Sequence, residues 1–247
     1  MSNTPHAPLA RSKNRAPRPI LITDGDKGGA GKSFIARILA YLLTEGGHPW
    51  KGFDLDPRNG HLHRFHKEME ITHIDWTGST AWDRLYDGIM EVDSAEVVLV
   101  DLPAQVGLVT SREYPRFVAT ANYLQRPILR FWAIQNDFDS VNLLAQSLEM
   151  LDNRNTFAVL NLRNAARAHF DFWNNSKTRQ ALLQKGGPEL ELAVPRLADG
   201  VAGAIDAGDL SFFKAAKQLK QPYLLYDIES YLAEIKVVFA PVLERLR

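Results

Sequence analysis

The segment Gly25-Asp26-Lys27-Gly28-Gly29-Ala30-Gly31-Lys32-Ser33 constrains this chain more than any other stretch of its sequence. It follows an apolar run at residues 20–23. It precedes a stretch in which Ile35, Ile38, Leu39, Leu42 and Leu43 recur with the 3.6-residue period of a helix. A strand, a glycine-rich loop and a helix in that order meet the requirements of a phosphate-binding loop. Glycines let successive backbone N–H groups converge on phosphate oxygens, and the helix N-terminus adds partial positive charge. In such a loop Lys32 reaches the β- and γ-phosphates of a nucleotide, and the Ser33 hydroxyl is a ligand for Mg2+.

Further short apolar runs at 51–55, 97–101, 128–134, 157–162 and 190–194 read as strands, separated by segments of helical periodicity such as Val141, Leu144, Leu148 and Leu151. Strands apolar on both faces and spaced by helices predict an α/β, doubly wound, mostly parallel sheet covered on both sides. The 247 residues suit one large domain over 20–247. Residues 1–19 carry Arg11, Lys13, Arg15 and Arg18 but no acid and little apolar surface, which predicts a disordered basic tail. The chain has no cysteine, so disulfides and thiolate metal sites are excluded. Its 29 basic and 29 acidic residues argue against a globally basic nucleic-acid binder and leave local patches open. No run approaches the roughly 18 apolar residues of a membrane span, and the N-terminus lacks an apolar signal core. A cytoplasmic protein is the expectation.

The general phosphate-loop pattern places glycine at position 26, where this chain has Asp26. Lys27-Gly28-Gly29-Ala30-Gly31-Lys32-Ser33 instead resembles the deviant Walker A motif of the ParA/MinD superfamily of P-loop ATPases. The Gly-Lys-Ser-Phe run ending at Phe34 is also similar to ParA-like proteins of conjugative plasmids. The resemblance spans roughly residues 20–220 and loosens toward the C-terminus. It implies ATP and Mg2+ as ligands, held by residues 27–34, and a homodimer that sandwiches the nucleotide. Lys27 would reach across to the partner's phosphates and neutralise charge there, as an arginine finger does. Asp24 and Asp26 beside an anion site are unexpected on this reading.

Three later segments fall in the order the resemblance requires. Phe53-Asp54-Leu55-Asp56-Pro57 looks like a switch sequence, in which Asp56 would help position the attacking water and Asp54 would lie near the Mg2+ shell. Val97-Val98-Leu99-Val100-Asp101 reads as Walker B, a buried strand delivering one carboxylate toward the Mg2+, with Gly107 available as a hinge for a second switch. Phe157-Ala158-Val159-Leu160-Asn161 ends in an Asn whose donor and acceptor suit the adenine edge. The segment Ala193-Val194-Pro195-Arg196 resembles the loop that packs around the base, which makes Pro195 a candidate contact.

Other features carry less. His61, His63, His66 and His73 crowd one region without zinc-site spacing. Lys214, Lys217 and Lys220 recur at helical spacing beside Phe212 and Phe213, as a solvated face or a DNA-backbone contact. The apolar periodicity from Tyr231 to Leu246 suits packing onto the sheet better than membrane docking, because its acids and bases balance. The resemblance therefore implies a slow ATPase switch. It would bind a surface (DNA first, giving a nucleoid-associated pool), answer to an activating or cargo-adaptor protein, and position a plasmid, chromosome region or conjugation complex. A MinD-like membrane-associated ATPase and a metabolic P-loop ligase are the alternatives.

Overall fold

The computed structural model describes residues 16–25, 28–57, 60–103, 107–149, 155–163 and 165–246. Seven strands form one sheet in the order β3-β2-β4-β1-β5-β6-β7. They are β1 (Ile20–Asp24), β2 (Trp50–Asp54), β3 (Ile71–His73), β4 (Val97–Asp101), β5 (Ile128–Ile134), β6 (Thr156–Asn161) and β7 (Glu191–Val194). Every neighbouring pair is parallel, which bears out the doubly wound expectation and tightens "mostly parallel" to all-parallel.

Alternate residues of each strand feed opposite layers, as the period of two requires. Leu21, Leu99, Leu129 and Phe131 join the core under α1 (Lys32–Glu45), whereas Ile20, Ile22, Val98 and Val100 join the core under α3 (Ala81–Glu91) and α4 (Gly107–Tyr123). β1 and β4 are buried along their full lengths, which is why their sequences run apolar without alternation. α1 stops where Gly46 donates to the Leu42 carbonyl and Gly47 takes a φ of 65°.

The edge strand β3 was not expected from the sequence. It is three residues long, and its pattern of one buried, one half-buried and one exposed residue carries no periodic signal. The remaining strands match expectation within a residue at each end. Residues 16–19, assigned to the tail on sequence, are already placed: the Arg18 N–H donates to Ser94, Val98 donates to the Pro19 carbonyl, and Arg18 is buried. Residues 1–15 lie outside the described residues.

The C-terminal apolar residues pack onto the sheet. α10 (Pro222–Val238) and α11 (Ala240–Glu244) bury Ile228, Tyr231, Leu232, Ile235 and Val242, and the Phe239 ring stacks near Phe131 with centroids 6.4 Å apart. Pro241 falls in the first turn of α11, where its missing N–H removes no helical bond. No helix among the described residues is long and apolar enough to cross a membrane.

Candidate functional site

The sheet reverses its winding direction at β1, the place in an open α/β sheet where ligands bind beyond the carboxyl ends of the strands. The glycine loop leaves β1 at that point. Gly25, Gly29 and Gly31 take φ values of 141°, 74° and 99°, a region that side chains rarely adopt. Gly31 caps α1 in the left-handed conformation without a side-chain hydrogen bond, and the first turn of α1 contains no acid. Its leading N–H groups thus keep the positive end of the helix dipole open to an anion. Gly28 and Gly29 are exposed at the tip, whereas Ala30 and Lys32 are buried and Ser33 is half-buried. Lys27 lies outside the described residues.

Parallel register gathers the carboxylates beside this loop. Asp101 at the end of β4 pairs in register with Thr23 of β1 on one side and Asp54 of β2 on the other. The Thr23 hydroxyl donates to Asp101 Oδ1 at 2.7 Å, while Asp101 Oδ2 is buried with no hydrogen-bond partner. Burial first, and then the charge of Asp54, push the Asp101 carboxyl well above the ordinary carboxylate range. The Thr23 and Ser33 hydroxyls and the Lys32 charge oppose that shift. A cation would favour the charged form of this buried carboxyl, and Asp101 Oδ2 beside the Ser33 hydroxyl offers oxygen ligands to a hard cation, so the residues present fit Mg2+.

Asp54 has a different environment. Its Oδ1 accepts the Asp56 N–H at 3.0 Å and its Oδ2 the His63 N–H at 2.9 Å, while burial raises its pKa against those two bonds. The two oxygens thus tie the start of the loop and the first turn of α2 (His61–Phe65) to the end of β2, each with one bond. Asp56 is half-buried at the head of that loop.

Asn161 closes the site from the other side. A Cβ added to Gly31 would meet its Nδ2 at 2.4 Å, so the side chain lies directly against the phosphate loop, and its Oδ1 accepts the Arg163 N–H at 3.1 Å. Pro195 follows Val194, the register partner of Asn161. Phe34 turns the other way: its ring meets Phe212 edge-on at 5.6 Å and tilts against Tyr231, in the layer below the site. Its side chain therefore anchors α1.

Two sequence features dissolve on inspection. The four histidines do not converge: His66 is buried with Nδ1 against the Leu62 carbonyl, and His63 stacks on His73. Among the described residues no group of three or more His, Asp or Glu could hold a metal ion. The lysine stripe is broken, because α9 (Phe212–Gln218) ends before Lys220 and the Lys214 ammonium sits 2.9 Å from Glu68. Thr23 and His73 are site-lining residues that sequence reasoning missed. Only the register of the finished sheet puts Thr23 beside Asp101, and without a β3 signal the contact of His73 with Asp56 had no basis.

No protein-family model matches the chain. Protein MobD of Acidithiobacillus ferrooxidans is 26% identical over 203 residues, which cover 82% of this chain and 88% of that one. Among solved structures, the nucleotide-binding protein of Archaeoglobus fulgidus in complex with ADP matches with a TM-score of 0.51 at 13% identity, covering 78% of this chain and 88% of that one. The cell division ATPase MinD of Pyrococcus furiosus matches with a TM-score of 0.50 at 14% identity, covering 89% and 98%. The chain thus shares its fold with these two proteins, and it carries a glycine-rich phosphate-loop sequence at the end of β1.

Proposed function

We propose that this chain is an ATP-driven dimerising switch of the ParA kind. Two copies close face to face on Mg-ATP, each presenting Lys27 to the other's phosphates. Slow hydrolysis, accelerated by an activating or cargo-adaptor protein, releases them. The ATP-held dimer binds DNA without sequence preference and so positions a cargo such as a plasmid, chromosome region or conjugation complex.

The observation that carries the reading is the buried, unpartnered Asp101 Oδ2 beside the uncapped start of α1. Loop N–H groups and Lys32 bind the phosphates there, Asn161 and Pro195 flank the base, and Asp56 orients the attacking water. Mg2+ arriving with the nucleotide would be held by Ser33 and Asp101 and would offset charge on the phosphates. DNA is favoured over a bilayer because the apolar face of α10 and α11 is taken up by the core, while Lys217 and Lys220 are exposed.

The test compares retention on plasmid DNA and on anionic lipid vesicles with Mg-ATP and with Mg-ADP. Salt-sensitive DNA retention in ATP alone supports the reading. Retention on vesicles and not on DNA replaces DNA with a membrane, and ATP-independent behaviour on both removes the switch.

A further inference from the structure

The loop between β2 and α2 (His61–Phe65) is held by more than Asp54. The His73 Nε2 lies 2.7 Å from the Asp56 carbonyl oxygen. A carbonyl only accepts, so Nε2 carries the proton and donates. The exposed imidazole stacks on His63, also exposed, with centroids 5.5 Å apart and planes at 17°. Gly60, at a φ of 21°, lets the chain pass close to this pair, since a Cβ there would stand 3.3 Å from His73 Nε2. The backbone here is thus gripped at four points: the Asp56 N–H and, in α2, the His63 N–H by Asp54, and the Asp56 carbonyl by His73 and by the Gly60 N–H at 3.2 Å.

The geometry points to His73 as a positioning residue for Asp56. Asp54 holds the peptide that enters Asp56, and the His73 donor, with the Gly60 N–H, holds the peptide that leaves it, so the residue is held on both sides. The backbone that carries the Asp56 carboxylate is then set before nucleotide arrives. Preorganisation of this kind is worth most in the chemical step, because a misplaced orienting group costs rate without loosening phosphate contacts. It also gives β3 a purpose: a three-residue edge strand, weak as packing, delivers one imidazole to the loop. This inference rests on the ATPase reading above, in which Asp56 orients water.

His73→Phe keeps a ring to stack on His63 and loses the donor. His73→Gln places an amide N–H near the Nε2 position. Turnover with Mg-ATP is expected to fall about tenfold in kcat for His73→Phe, with KM for ATP within about twofold of wild type, and to recover largely in His73→Gln. Amide exchange at Asp56 and His63, read without nucleotide, should quicken in the Phe variant and return to the wild-type rate in the Gln variant. Unchanged exchange in His73→Phe, or equal loss of kcat in both variants, overturns the assignment. Exchange that behaves as expected while Asp56→Ala turns ATP over at the wild-type rate leaves the clamp standing and sinks the role given to Asp56.

Discussion

Asp24 and Arg130 form a buried ion pair at 2.7 Å, with side chains 5% and 3% exposed, at the point where β1 gives way to the phosphate loop. Asp24 Oδ1 accepts the Gly25 N–H at 2.7 Å, so the pair ties the first residue of the loop to β5. Arg130 also donates to Ser147 of α5 (Phe138–Glu149) and faces the rings of Trp132 and Tyr114. An acid beside an anion site looked out of place in the sequence; its partner is a guanidinium 106 residues away. Removing one member leaves an uncompensated buried charge, so Arg130→Met is expected to destabilise the fold by about 3–5 kcal/mol. The double variant Asp24→Asn, Arg130→Met should recover much of that loss, as read by urea denaturation.

Gly31 is the loop position least able to accept a side chain. Its φ of 99° is strained for any other residue, and Asn161 Nδ2 occupies the space of a Cβ. Gly31→Ala is expected to weaken ATP binding by at least about tenfold, since either the loop or Asn161 must move. Asn161→Ala, which empties that space, should bind triphosphate well but discriminate less between ATP and GTP. Calorimetric titration with both nucleotides checks the two outcomes.

His66 gives the fold an acid limit. Burial first, helped by the charge of Arg37 and opposed by the Leu62 carbonyl, lowers its pKa from 6.5 to about 4. With the folded value depressed, the unfolded chain takes up a proton first as pH falls. The contribution is therefore complete above pH 6.5 and drains away between 6.5 and about 4, to a total of about 3 kcal/mol. His66→Phe removes the titrating ring, so its denaturation midpoint should fall less steeply with acid than that of wild type over that window.

The ion pairs rank the lysines of the C-terminal helices. Lys214 is held by Glu68, whereas Lys217 stands over the Phe213 ring at 3.7 Å and Lys220 is exposed beyond the helix end. If α9 meets DNA, Lys217→Ala and Lys220→Ala should each lower the slope of log affinity against log salt by about one unit. Lys214→Ala should lower it less. Equal effects at all three positions would mean that the Glu68 pair opens on binding.

Much of the fold was legible because it rests on local signals. Apolar runs such as Val97–Asp101 are continuous since both sheet faces are covered, and the glycine loop needs positive φ at fixed positions. What the sequence hid is relational. Asp101 meets Thr23 across 78 residues through register alone, and the partner of Asp24 is set by which strand neighbours β1. β3 was invisible because an edge strand of three residues has no room for a period. The lysine stripe was legible as spacing but not as environment: helix α9 stops at Gln218, and Glu68 from a distant segment pairs with its first member.

The proposed switch is at bottom a nucleotide-driven change of assembly. Light scattering would measure the mass of wild type, Lys27→Ala, Lys32→Ala and Asp56→Ala, each without nucleotide and with Mg-ATP. A switch of this kind gives a wild-type dimer only with Mg-ATP, a dimer that persists in Asp56→Ala, a weaker one in Lys27→Ala, and none in Lys32→Ala. A wild-type protein that binds ATP and keeps one mass throughout would contradict it.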